Sequence, residues 1–473
     1  FKLMKKILFS YLYILIITVV SYSEVMMQGF YWDCPINWYT HISEKINTLQ
    51  NMHNGYGINR IWLPPPQKSD YGINSMGYDP YDYYDLGNFN QKDTYGTRFG
   101  TKKDLEKLIK NCDEANIMCV ADIVLNHRAG GQKEFNENKK IVTKTDFSSV
   151  KSKMCRWRFN EFHPSTFQER DSNFFKDYPD ICHVTEFKEG SAGFDLIQWG
   201  KWLKDEIGYV GGWRFDFAKG IDASYIDRFC KETDSAFGII EYWDSIDLIH
   251  SYMNQIDNIH AFDFPLYYSL VDVFNDNESI SKLINPKYSY VARNSKQAVT
   301  FVANHDTDKD AFVPSINRYP LLAYAFILTY EGYPCIFWKD YFNNGLANLG
   351  GKKGNGINYL VSAREMLADG SPEIKTCLIS DEILAYEAKG NSIDAPGYLV
   401  IINNGDRSKL IKMEILNPYL YSNNLNAYAW YSYKTSKKPS DIFCNAKGAV
   451  SINVPPKSYV CLLYTSPSPR DLS

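Results

Sequence analysis

Short apolar runs separated by polar, helix-like stretches set the rhythm of the chain. The runs VMMQGF at 25–30, NRIWLPP at 59–65, IMCVADIVLNH at 117–127 and VGGWRFDFA at 210–218 have the length and composition of buried strands. So do AFGIIEYW at 236–243, NIHAFDFP at 258–265, AVTFVANHD at 298–306 and YPCIFW at 333–338. Helical spacing lies between several of them. Leu105, Leu108 and Ile109 share a face within 101–117, as do Trp199, Trp202 and Leu203 within 196–208, and PLLAYAFILTYEG at 320–332 leads into the last run. Eight such units predict an α/β fold, a (β/α)8 TIM barrel, in which functional groups gather at the C-terminal ends of the strands.

The rhythm lapses twice. Residues 128–190 are long, mixed in charge and punctuated by Pro and Gly, which predicts a subdomain inserted after the third strand. The barrel is then 24–127 and 191–355. Beyond it, the runs SDEILAYEAKG, GYLVIINNG, AYAWYSY, AVSINVP and SYVCLLY predict a C-terminal β-sandwich domain over 356–464. At the front, Lys5 and Lys6 precede the run ILFSYLYILIITVV, and small residues follow. That pattern predicts a secretory signal peptide over 1–23 and a secreted protein; a membrane anchor would need a longer run. Residues 465–473 are polar and Pro-rich and read as a disordered or artefactual tail.

Composition narrows this picture. Apolar residues are 45% and charged residues 22%, so the chain is globular. A net charge of −4 argues against a protein that works by neutralising nucleic-acid phosphates. The 36 Tyr, 27 Phe and 10 Trp suit either a core or a sugar-binding surface, and composition does not choose between them. Ten cysteines permit disulfides in an oxidising compartment without requiring them, and no CxxC pair suggests zinc.

Chemistry concentrates at the run ends. The third carries Asp122, Asn126 and His127, the fourth Arg214 and Asp216, the fifth Glu241, and the seventh Asn304, His305 and Asp306. A charge in an apolar run is costly to bury without a partner. Rim salt bridges would explain one or two of these acids; four at one end of a barrel favour catalysis.

These residues resemble the α-amylase family, glycoside hydrolase family 13. Its four short regions are matched by DIVLNH at 122–127, GWRFDFAKG at 212–220, IIEYWDS at 239–245 and FVANHD at 301–306. WLPPP at 62–66, SMGYDPYDYYDLG at 75–87 and YPCIFW resemble the liquefying branch found in bacteria and plants. The resemblance implies an endo-acting retaining hydrolase of internal α-1,4-glucosidic bonds in starch, glycogen and malto-oligosaccharides. Another family enzyme, exo-acting, maltogenic or transglycosylating, is the alternative, and a catalytically silent glucan-binding protein a more distant one. An α-1,4-glucan is thus the expected partner, with no obligate protein partner.

By the same resemblance Asp216 is the nucleophile, Glu241 the general acid and base, and Asp306 the third carboxylate, which favours the distorted sugar. In a retaining pair the first two stand roughly 5–5.5 Å apart. Nearby carboxylates and burial are expected to keep Glu241 protonated, and Arg214 to hold Asp216 ionised. His127 and His305 match sugar-binding histidines, Tyr78 an aromatic platform, and Lys219 a residue reaching the leaving-group side. Trp32 suits a subsite surface or barrel packing equally well, and Asp122 a strand-end salt bridge or direct contact. Asn126, Asp180 in YPDIC at 178–182, and the Gly220 carbonyl resemble ligands of a Ca²⁺ that ties the insertion to the barrel.

Overall fold

A computed structural model describes residues 24–137, 139–163, 178–183, 187–309, 313–348, 355–368, 372–393 and 395–464. The signal-peptide and tail assignments, and parts of the insertion, lie outside the described residues.

All eight barrel strands form where the apolar runs place them: β1 Met26–Gln28, β2 Arg60–Leu63, β3 Met118–Ile123, β4 Gly212–Phe215, β5 Gly238–Ile240, β6 His260–Phe262, β7 Ala298–Phe301 and β8 Tyr333–Phe337. Every neighbouring pair is parallel and β1 closes on β8, with Met26 opposite Cys335. Strands covered on both faces read as continuous apolar runs, which is why they were legible. They are shorter than those runs, whose last residues lie beyond the paired strand ends. At the entry to β4, Gly212 has φ of 107°, and a Cβ there would stand 2.1 Å from the Phe237 carbonyl oxygen. Only glycine fits that approach.

The helices follow the same logic. Lys102–Glu114 starts at a capping box, in which Thr101 and Asp104 satisfy each other's backbone N–H groups. Ala192–Trp202 runs on into a wider turn, Leu203–Ile207. Pro320–Thr329 is apolar on all sides and buried from Leu321 to Thr329, as a helix walled in on every face must be. A helix at Ile357–Ala368, not foreseen in the polar stretch after β8, packs against it and shares its core. The boundary drawn at 355 therefore falls one helix before the first C-terminal strand.

That C-terminal region holds a six-stranded sheet in the order Ile374–Ile379, Ile383–Lys389, Gly397–Asn403, Ser458–Leu463, Asn423–Ser432, Ile442–Cys444, and a two-stranded sheet of Lys409–Glu414 with Ala449–Val454. The larger sheet's central strands, Ile383–Lys389, Gly397–Asn403 and Ser458–Leu463, are buried on both faces. Leu384, Tyr386, Val400 and Ile402 join the barrel-side core, while Ile383, Ala385, Leu399 and Ile401 pack with Ile411, Val450 and Ile452 of the small sheet. Tyr386 and Tyr398 tie it to Thr329 by hydrogen bonds. All ten cysteines are free thiols, nine of them buried.

The insertion leaves the barrel after β3 and carries a hairpin of Gln132–Asn136 with Ile141–Asp146. Arg128 pins its base. Its guanidinium is fully buried, donates to the carbonyls of Tyr81 and Cys155, and lies 3.9 Å from the Phe147 ring centre.

Candidate active site

A cleft of about 420 Å³ opens at the C-terminal end of the barrel, lined among others by Trp32, Tyr78, His127, Asp216, Glu241, His305 and Asp306. Its floor is built by strand register. Asp122 on β3 stands opposite Arg214 on β4, so the two side chains occupy one layer, and Arg214 Nη1 reaches Asp122 Oδ1 at 2.8 Å. Two residues on from Arg214, where the chain leaves β4, the same Nη1 meets Asp216 Oδ1 at 2.9 Å. Nη2 meets Glu241 Oε2 at 3.0 Å just beyond β5. One guanidinium thus gathers three carboxylates, Asp122 and Glu241 as well as Asp216.

Burial sets the protonation of this group. Arg214 is 1% exposed and stays cationic, because the surrounding carboxylates more than offset its desolvation. Burial pushes the Asp216 carboxyl well above the usual carboxylate range, with Arg214 pulling down and Glu241, Asp122 and Asp306 pushing up. Asp122 is raised to about 6 by burial, against Arg214 and the Tyr78 hydroxyl. One buried cation does not hold both aspartates fully ionised, so Asp122 retains a proton into the mildly acidic range and Asp216 is displaced in the same direction.

Around the floor the rings stand in register. Tyr78 donates its hydroxyl to Asp122 Oδ2 at 2.7 Å, and Trp62 Nε1 donates to the same oxygen at 3.1 Å. The Tyr78 ring lies parallel to His305 at 5.3 Å and to Trp32 at 6.0 Å. Trp32 therefore belongs to the cleft wall. His305 Nδ1 receives the Gln28 amide at 2.8 Å, which leaves its proton on Nε2, 3.3 Å from Asp306 Oδ2. His127 donates Nε2–H to the Tyr78 carbonyl at 2.9 Å, and burial lowers it to about 4, so it is neutral.

One placement differs from expectation. Asp306 does not end a strand: β7 stops at Phe301, and Asp306 lies in the first turn of a helix, His305–Lys309. The Asn304 side chain accepts from the N–H groups of Asp306 and Thr307 and so starts that helix. Lys219 is not among the cleft-lining residues; its ammonium meets the Trp243 carbonyl at 3.2 Å and Asp244 at 3.7 Å. Gln28, Trp62 and Phe217 were missed. A polar Gln28 inside VMMQGF was the available signal for the first, since a buried strand carries such a residue only for a partner.

The three residues resembling calcium ligands come together. His127 and Asp180 form a β-bridge, and Ile181 N–H donates to the Asn126 carbonyl at 2.9 Å. Asn126 Oδ1 is buried with no hydrogen-bond partner, and a Cβ on Gly220 would lie 2.0 Å from it. The unsatisfied Asn126 amide oxygen and the buried Asp180 carboxylate are oxygen donors of the kind a hard cation takes. Among the described residues no cluster of three His, Cys, Asp or Glu side chains could hold a metal by itself.

Known proteins fit this architecture. The family description "Alpha amylase, catalytic domain" matches residues 40–342. A glucan 1,4-alpha-maltohexaosidase of Bacillus sp. (strain 707) is 26% identical over 80% of this chain and 82% of its own. An alpha-amylase of Bacillus licheniformis is 28% identical over 67% of this chain and 70% of its own. In fold, the chain resembles CldA, a cyclomaltodextrin glucanotransferase, with a TM-score of 0.67 and 19% identity over 94% of this chain and all of the other. On this match, the chain belongs to the α-amylase family, glycoside hydrolase family 13, and carries its catalytic domain.

Proposed function

We propose that the protein cleaves α-1,4-glucosidic bonds of glucans with retention of configuration, passing the glycosyl group to water or to a second sugar. The observation that carries this is the convergence of Asp216 and Glu241 on one guanidinium below an aromatic-walled cleft. Asp216 attacks the anomeric carbon as Glu241 protonates the departing oxygen, giving a covalent glycosyl-enzyme. Glu241 then takes a proton from the incoming hydroxyl, which displaces Asp216. Asp306 and His305 bind sugar hydroxyls, and Tyr78 offers a ring face.

The relatives include amylases and a maltohexaosidase, and the fold is shared with a glucanotransferase. That mixture supports the broader reading, in which exo-acting, maltogenic or transfer activity stands beside endo-hydrolysis, better than strict endo-hydrolysis. The liquefying-type assignment rests on the stretches at 62–66 and 75–87 and on the Bacillus relatives. Asn126, Asp180 and Gly220 would hold Ca²⁺, which would supply a structural tie between insertion and barrel and no bond-breaking chemistry. Secretion after loss of residues 1–23 is part of the same reading; among the described residues no helix is long and apolar enough to cross a membrane.

Product analysis on soluble starch and on a defined malto-oligosaccharide tests the proposal. The first reducing ends should be α anomers, and added maltose should divert part of the product into longer oligosaccharides. An initial β anomer would overturn retention, and no cleavage of either substrate would overturn the activity itself.

A further inference from the structure

We propose that Phe217 is a positioning residue, acting through a left-handed backbone conformation that fixes which oxygen of Glu241 carries the transferable proton. This rests on the reading of Glu241 as the general acid. Phe217 directly follows Asp216 and has φ 45° and ψ 48°. That region is uncommon for any residue but Gly, Asn and Asp, and is an outlier for a bulky one. The surroundings hold it there. Phe217 N–H donates to Glu241 Oε2 at 2.9 Å. Ala218 N–H donates to the Glu241 carbonyl, and Gly220 N–H to the Phe217 carbonyl, each at 3.0 Å. The turn leaving β4 is thereby clamped onto the residue leaving β5.

The clamp has a chemical consequence. Arg214 Nη2 also ends on Oε2, at 3.0 Å, so two N–H donors converge on one oxygen of the Glu241 carboxyl. In a protonated carboxyl the carbonyl-type oxygen is the better acceptor, and the hydroxyl oxygen must donate. Oε2 is therefore the acceptor and Oε1 carries the proton. With φ in the ordinary negative range, the Phe217 amide would turn away from Oε2 and that preference would rest on Arg214 alone. Backbone strain beside a nucleophile is a recurrent device for holding a group in its working geometry.

The Phe217 ring also lines the cleft, so the test must separate backbone from ring. The readout is the ratio of kcat/KM on starch to kcat/KM on α-maltosyl fluoride, whose leaving group needs little protonation. Phe217→Gly and Phe217→Asn remove the ring but favour positive φ; Phe217→Val places a β-branched residue where that conformation is most disfavoured. The valine variant should lower the ratio by at least about 10-fold, while the glycine and asparagine variants keep the parental ratio whatever happens to KM. A ratio lowered equally in all three assigns the effect to the ring and overturns the proposal, as does a parental ratio in a folded valine variant. Circular dichroism checks folding, and Phe217→Ala, milder at this φ, replaces valine if that variant does not fold. Glu241→Gln is run beside them. If it lowers the ratio and valine does not, only the role of Phe217 falls; if it leaves the ratio unchanged, the acid assignment falls and this inference with it.

Discussion

Arg60 and Arg214 lie on the two strands that flank β3, at opposite ends of the barrel. Arg214, toward the cleft, has three carboxylates. Arg60, at the start of β2, donates to the Tyr333 hydroxyl at 2.9 Å and the Gly211 carbonyl at 3.3 Å, and lies 4.1 Å from the Phe237 ring centre. The same side chain is thus used once with neutral partners, which hold the barrel together, and once with acidic partners that must exchange a proton and attack a carbon. Barrel packing and catalytic rim are separable in this molecule because these two strand arginines, one half-buried and one buried, are given different company.

The sharpest break in that comparison comes from the acids themselves. Asp216→Asn and Glu241→Gln should each lower kcat/KM on starch by at least about 10²-fold, with circular dichroism unchanged. With a glycosyl fluoride, Glu241→Gln should keep a measurable glycosylation step and Asp216→Asn should not. A folded Asp216→Asn enzyme with near-parental rates on both substrates would remove the nucleophile from the rim.

Next come the arginines. Arg214→Met strips the cation from its buried acids and should cost about 3–5 kcal/mol in urea unfolding, together with activity. Arg60→Met loses two hydrogen bonds to neutral partners and a ring contact, about 2–4 kcal/mol, and the folded fraction should turn over at the parental rate. If Arg60→Met depresses kcat/KM as Arg214→Met does, the division between the two ends fails.

This division was only partly legible in the chain. The barrel strands showed because strands covered on both faces are apolar throughout, whereas Lys409–Glu414, with KLIKME, did not, since only Ile411 there is buried. The helix Ile357–Ala368 carries Ile357, Leu360 and Val361 at helical spacing, directly after the Gly-rich stretch GKKGNG. Rim residue types were readable as charges in apolar runs. Their partnerships were not, because sharing one guanidinium among Asp122, Asp216 and Glu241 depends on register between strands far apart in sequence. Nor could the sequence show that Phe217 adopts a positive φ, or that Asn304 starts a helix that takes Asp306 off the strand.

The calcium reading extends the comparison beyond the barrel. An ion bound only by the folded chain stabilises it, by about 3 kcal/mol at a hundredfold excess over Kd. Chelation should lower the melting temperature and activity together, and Ca²⁺ should restore both. Asp180→Asn should weaken that response. Unchanged melting after verified metal removal would leave the Asn126 oxygen without its expected partner.

The smallest effect is on the dependence of stability on pH, to which Asp122 adds one contribution beside those of Asp263, raised to about 6, and of His127 and His260, lowered to about 4. Asp122 is raised to about 6 in the folded chain by burial, while facing Arg214, the Tyr78 hydroxyl, the Trp62 N–H and the acids Asp216 and Glu241. Its ordinary value is 3.8. Below about pH 4 the group is protonated both folded and unfolded, and contributes no slope. Between about pH 4 and 6 the folded chain holds a proton that the unfolded chain has released, so stability falls as pH rises, by about 1 kcal/mol per pH unit at most. Above about 6 the contribution is fully lost and the curve flattens. Asp216, raised in the same direction, adds to the decline. Asp122→Asn cannot accept from Arg214, Tyr78 and Trp62 as the carboxylate does, so its absolute stability will fall. The informative quantity is the difference in slope of the urea midpoint from pH 4 to 6: with rising pH, stability should fall less, or rise more, in the variant than in the parent. Arg60 does not serve as the control here, because with burial it holds His260 down at about 4, and Arg60→Met would release that group within the same window. Equal slopes in the parent and in Asp122→Asn would place the titrating group away from the rim.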